Sequence, residues 1–295
     1  MTEKSPKPVH ALYTGVSEPV AQKRNERIPP WISVLMAILG GPFALMLALG
    51  VGAAMAFAIT DSFTPEMMTQ AVTDLRTVGP SVSIQNLGFC AVALLACWFG
   101  KARPRTALGL KGAHPAVFLL APVGILALGP TSDALVRLMK YLAPNWTFGA
   151  LNQIEAITAG HSVWVLLPFL ALAPGLGEEF FFRGLVQRSW GDGWRAITIS
   201  ALSFSAFHMD PHHVAGVIPL GFYLAWLGAR TGSLWVCVVT HTANNAVATF
   251  ASKYIEDDGD EAVPWWAIPI GWAIAALVIW GIRHWTAPRA ASAEG

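Results

Sequence analysis

Eight apolar runs with almost no formal charge divide this sequence: Trp31–Thr60, Ile84–Gly100, Pro115–Ser132, Ser162–Arg188, Ala196–His208, Pro211–Gly228, Ser233–Ser252 and Pro264–Ile282. About 20 apolar residues in a helix cross the hydrocarbon layer of a bilayer. In that layer no water pairs with backbone N–H and C=O groups, so such a run must satisfy them internally, as a helix does. The pattern predicts an all-α fold, a polytopic membrane helix bundle with about eight transmembrane helices. The fifth run is short and reads equally as a re-entrant or buried helix. The first exceeds the length of one span, which predicts tilt or continuation past the interface. Composition agrees, because 54% of the 295 residues are hydrophobic and only 13% charged, against about 25% charged in soluble domains.

The domain layout follows from the runs. Residues 1–28 are rich in Lys, Pro, Glu and Ser, and are expected to be a disordered cytoplasmic tail. Residues 29–286 form a single integral-membrane domain, and residues 287–295 a second disordered tail. No cleavable signal is evident, because the first apolar run is too long for a signal-peptide core. Lysine and arginine in the loops set the orientation. The side carrying the N-terminal tail, the loop 101–111, Arg183, Arg188, Arg195, Arg230, Arg283 and Arg289 holds 15 of them, against 4 on the other. Both termini are therefore expected in the cytoplasm, and the acidic loop Glu256–Glu261 outside.

A net charge of +1 gives no reason to expect nucleic acid. Cys90, Cys97 and Cys237 lie within apolar runs and read as small buried hydrophobes, not as a disulfide framework or zinc knuckle.

Against this background the stretch 177–184, GEEFFFRG, is anomalous. Ionisable groups inside spans cost roughly 2.5–3.5 kcal/mol on insertion scales and mark functional sites by default. Few exist here: Glu178, Glu179 and Arg183, then His208 in FSAFHMD and His241 in HTANN, with Asn245 as a polar companion. Glu179 and Arg183 are four apart and share a helix face. Glu178 is rotated about 100° from Glu179 and points elsewhere. His241 and Asn245 share a face, and Phe204 sits one turn before His208. Helix rise from the flanking arginines puts Glu178 about 15 Å, His208 about 20 Å and His241 about 16 Å below the basic side. Three separate spans thus bring polar groups to one level.

Bland alternatives exist for each. Glu179 and Arg183 form a structural clamp at that spacing, and either histidine taken alone reads as an interhelical hydrogen-bonding residue. His212 and His213 follow Pro211 at a helix boundary. Tryptophans 190, 194, 265 and 266 flank spans as interfacial anchors. The series Pro168, Pro174, Gly175 and Gly177 loosens the fourth run and opens access to Glu178.

Glu178-Glu179-x-x-x-Arg183, Phe204-x-x-x-His208 and His241-x-x-x-Asn245, in this order on apolar spans, resemble the motifs of the CaaX protease and bacteriocin-processing (CPBP, or Abi) family of intramembrane glutamic endopeptidases, related to the type II CaaX prenyl endopeptidase. The resemblance covers a motif core at about residues 160–252. It implies hydrolysis of a peptide bond in a membrane-associated peptide or protein. By that likeness Glu178 and His208 activate a water, His241 and Asn245 stabilise the oxyanion, and Glu179 and Arg183 hold the geometry. It implies no cofactor, no metal, and no partner beyond the substrate and the lipid bilayer. The Ala-, Gly- and Trp-rich composition points to a bacterial inner membrane. Competing expectations are a zinc metalloprotease, since two histidines and a glutamate are a legitimate zinc set, a transporter, and a non-catalytic immunity or scaffold protein.

Overall fold

The computed structural model describes residues 26–61, 64, 73–146, 149–254 and 263–286. The acidic loop Glu256–Glu261, the C-terminal tail and residues 1–25 of the N-terminal tail lie outside the described residues. All regular structure among the described residues is helical. Proline at the first helical position starts α1 (Pro30–Thr60), where its fixed φ and missing N–H suit the helix entry. Asp74 caps α2 (Leu75–Phe99) by accepting from the Arg76 N–H. A short turn, α3 (Pro104–Ala107), leads to α4 (Pro115–Leu126) and α5 (Gly129–Leu142), which run on as one long apolar stretch. Then come α6 (Ala150–Gly160) and the long α7 (Val163–Trp190). The chain ends with α8 (Trp194–Ala206), α9 (Pro211–Thr231), α10 (Leu234–Tyr254) and α11 (Ala267–Trp285).

Six stretches are long and apolar enough to cross a membrane: α1, α2, α4–α5, α7, α9 and α11. This is an all-α polytopic bundle, though the expected count of eight is not confirmed. Two of the expected spans fall short for different reasons. With 13 residues α8 reaches only about 20 Å, short of the roughly 30 Å hydrocarbon layer. It ends in a tight turn in which Met209 has a φ of +55°. By contrast, α10 has 21 residues, but it carries Thr240, His241, Thr242, Asn244, Asn245 and Thr249, which lower its hydropathy. The polar load that removes it from the apolar set is the load of the candidate site.

The helix α7 is central: α2, α8 and α10 pack against it, with smaller contacts from α1 and α9. Only 17% of the most apolar stretch of α1 is buried, against 44% for α7 and for α9, so α1 is peripheral. Its Ile38, Leu39, Phe43 and Met46 face outward, as lipid-facing side chains do. Two segments of α7 widen into π-helix, Pro168–Leu172 and Glu179–Gln187. Pro168 and Pro174 bring no N–H, which breaks the α-helical ladder in this region. Wide turns of this kind concentrate at functional sites. Neighbouring helices grip the second segment: Ser200 Oγ on α8 donates to the Phe182 carbonyl at 3.1 Å, and Ser33 Oγ on α1 to that of Leu185 at 3.4 Å.

Candidate active site

Two glycines let α7 pass between its neighbours just before the acidic pair. A Cβ on Gly175 would lie 3.0 Å from the backbone nitrogen of Thr242 on α10. A Cβ on Gly177 would lie 2.5 Å from Asn86 Cβ and 2.6 Å from Asn86 Cα on α2. A methyl group at either position has no room, so Glu178 emerges where three helices are in near-backbone contact.

The three phenylalanines of the stretch build its wall. Phe181 and Phe182 are buried. Phe89 of α2 lies 4.8 Å from Phe181 and 6.3 Å from Phe182, between ring centroids. Phe182 meets Phe204 edge-on at 5.5 Å. Phe180 faces the other way, toward Trp235 at 6.2 Å. Apolar burial on this scale surrounds the ionic groups and keeps them in low dielectric.

Glu179 and Arg183 pair as their spacing requires. Arg183 Nη1 donates to Glu179 Oε1 at 2.9 Å, and both side chains are almost fully buried. Arg183 Nη2 also donates to the Gly221 carbonyl of α9 at 3.1 Å, and the guanidinium lies 4.3 Å above the Phe204 ring. A second partner of Glu179 comes from far along the chain: His241 Nδ1 is 2.8 Å from the same Oε1. Beside a guanidinium that oxygen is an acceptor, so Nδ1 carries the proton. In the neutral ring Nε2 is then bare, and it lies 4.0 Å from Glu178 Oε2. Glu178 has no hydrogen-bond partner among the described residues, although its side chain is only 14% exposed. Of two adjacent glutamates, one is committed to structure and the other is uncommitted.

His208 lies in the turn after α8. Its Nδ1 is 3.0 Å from the Phe204 carbonyl, which can only accept. Nδ1–H therefore donates, and Nε2 is bare in the neutral ring. The imidazole is held edge-to-face by Phe204 at 5.1 Å and by His213 at 4.3 Å. Phe204 also meets His241 at 5.6 Å. One aromatic ring thus touches Arg183, His208 and His241 and gathers the motifs.

Asn245 sits one turn beyond His241, and its amide Nδ2 donates to the Leu170 carbonyl at 3.3 Å. Leu170 precedes Pro174 by four residues, so Pro174 has no N–H to offer that carbonyl. Asn245 supplies one instead and ties α10 to the first π segment. All six candidate residues lie on α7, on α10 or in the turn after α8. The closest links are Glu178–His241, Glu179–His241 and Glu179–Arg183. The structure brings His208 to the group through Phe204.

Two contributors escape a reading by motif. Phe204, marked already by the second motif, has in addition the contacts to Arg183 and His241. His213 packs on His208, which the HH pair after Pro211 does not reveal. Asn86 packs against Gly177 with a buried Oδ1 that has no hydrogen-bond partner among the described residues. It comes from α2, and no local pattern marks it. His212 is used elsewhere, with Nε2 3.1 Å from the Ala143 carbonyl. Among the described residues, no group of three His, Cys, Asp or Glu side chains is arranged to hold a metal ion.

Residues 160–247 match the family model described as type II CAAX prenyl endopeptidase Rce1-like. The match spans all three motifs, which makes this segment similar to the CaaX protease family, and leaves α1 to α5, nearly all of α6, and α11 outside it. No match was found to a curated protein or to a solved structure. A membrane-embedded peptidase, a hydrolase of peptide bonds, is the class that this core and the helical bundle define.

Proposed function

We propose that the protein is a glutamate-dependent intramembrane endopeptidase that cuts a membrane-associated peptide or protein, with Glu178 as the base. The observation that carries this reading is the asymmetry of the acidic pair. Glu179 is bonded to Arg183 and His241, while Glu178 lies 4.0 Å from His241 Nε2 without a hydrogen-bond partner among the described residues. An unpartnered carboxylate is available to take a proton from water, as general base catalysis requires.

In the proposed reaction Glu178 removes a proton from water while the water oxygen attacks the scissile carbonyl carbon. His208, with Nε2 bare, accepts the second water hydrogen as a hydrogen bond and orients the nucleophile. Negative charge moves to the carbonyl oxygen, where donors act strongly because water is scarce. His241 serves there when its Nε2 is protonated, a state that the Glu179 carboxylate on Nδ1 complements. Asn245 is the second donor, through its amide. Glu178 then returns its proton to the leaving nitrogen as the C–N bond breaks. No cofactor is needed; zinc is the competing reading.

The matched family is described by a prenyl endopeptidase, which makes lipid-modified peptides one class to offer as substrate. The arginine and lysine distribution supports termini on the cytoplasmic side of a bacterial inner membrane. The reading is tested by incubating the purified protein with a library of membrane-associated peptides, including lipid-modified ones, and reading cleavage by mass spectrometry. Products absent from a Glu178→Ala blank are expected. Identical products in the blank would remove the proposal.

A further inference from the structure

The basic side of the bundle carries a second polar feature, away from the acidic pair. A cleft of about 410 Å³ opens where the start of α8 meets the ends of α9 and α11. Its lining includes Trp194, Trp226, Arg230, Arg283 and Asp192. Arg230 is held in place: its Nε donates to Thr286 Oγ1 at 2.8 Å and its Nη2 to the Arg283 carbonyl at 3.1 Å. Arg283 has no side-chain acceptor among the described residues. Among the described residues the one carboxylate in the lining, Asp192, is already paired with Arg27 at 3.0 Å. Among those residues the cleft therefore presents two guanidinium groups without a competing free acid.

Each arginine ends a helix, where a cation complements the dipole. That accounts for one cation at each end. It does not account for two indoles lining the cleft between them. Tryptophan settles at the headgroup level of a bilayer, with its ring against acyl chains and its N–H toward water. Guanidinium groups pair with phosphate in a fork geometry, and basic pockets between membrane helices hold anionic headgroups. We propose that this cleft binds the phosphate of an anionic phospholipid headgroup, with Arg230 and Arg283 as its ligands and Trp194 and Trp226 as its walls. The site is independent of the peptidase reading.

The test is native mass spectrometry of the full chain in a neutral detergent. It is titrated with dioctanoyl phosphatidylglycerol, with dioctanoyl phosphatidylcholine, and with inorganic phosphate as competitor. One phosphatidylglycerol per chain should bind at least fivefold more tightly than phosphatidylcholine. Arg283→Gln should weaken it at least fivefold, and this change keeps the backbone carbonyl that Arg230 grips. Arg283→Glu, at the same exposed position, should weaken it further. Arg105→Gln, on the same basic side but outside the cleft, should leave it unchanged. Equal binding by wild type and both Arg283 variants would overturn the proposal, as would equal loss in Arg105→Gln. Displacement by inorganic phosphate at matching concentration would overturn the lipid assignment in favour of a free phosphate site.

Discussion

His241 Nδ1 lies 2.8 Å from Glu179 Oε1, across 62 residues of sequence. The contact joins the first motif to the third and sets the orientation of the imidazole, leaving its Nε2 toward Glu178. Glu179 thus stands between a cation that fixes it and a ring that it aims.

Arg183 is the cation, and its removal has a definite expected cost. Arg183→Met leaves a buried Glu179 with only His241 on its carboxylate. Breaking a buried ion pair costs about 3–5 kcal/mol, whereas replacing both members with apolar residues is much milder. Thermal denaturation in detergent should show a clearly lowered midpoint for Arg183→Met. The double variant Glu179→Met, Arg183→Met should recover part of that loss while staying inactive, because His241 has lost its orienting partner. An unchanged midpoint in Arg183→Met would refute the clamp.

Gly177 gives a packing prediction. A methyl group there meets both Cβ and Cα of Asn86, so α2 must move away from α7. Overpacking of this kind costs typically about 1–3 kcal/mol. Gly177→Ala should lower stability, and should lower activity by more than its stability loss explains, because it shifts the helix turn that carries Glu178. Asn86→Gly should relieve the clash only in part, since the Asn86 Cα is itself in the way. Wild-type stability and activity in Gly177→Ala would show that α2 and α7 are not held this closely.

Much of this was legible in the sequence. The apolar runs are read from composition, and the Glu179–Arg183 pair from a spacing of four, because both are local properties of the chain. The wide turns of α7 were not, since a spacing of four fits an α-helix as well as a π-helix and only the prolines hint at the difference. The Glu179–His241 bond, the Phe204 hub and the Asn86–Gly177 approach join residues distant in sequence. They depend on how helices pack, which periodicity does not encode. Asn245 shows the mixture: its place one turn after His241 was visible, but its bond to the Leu170 carbonyl depends on a proline in another helix. The fifth run reads as a span or as a buried helix for a related reason, because the uncharged run continues through the turn that ends the short α8.

Orientation is open to a labelling experiment. In a background lacking Cys90, Cys97 and Cys237, a Lys101→Cys variant places one thiol in an exposed loop on the basic side. A membrane-impermeant thiol reagent should label it in inside-out vesicles and not in intact cells. The reverse pattern would invert the proposed topology.

Metal dependence separates the glutamate reading from its zinc competitor. Dialysis against a strong chelator should leave peptidase activity within about twofold of the untreated protein. Elemental analysis of the purified protein should find no stoichiometric zinc. Activity lost on chelation and restored by zinc would replace the glutamate mechanism.

The central claim is that Glu178 moves the proton. The most direct measurement is the single-turnover rate of Glu178→Gln on a peptide that the wild type cleaves, with the thermal midpoint measured on the same preparation. The amide keeps the volume of the side chain and cannot accept the proton. General base catalysis contributes about 10²–10⁴ in rate. The account predicts a rate lower by at least about a hundredfold with an unchanged midpoint. A Glu178→Gln protein that cleaves at the wild-type rate would contradict it.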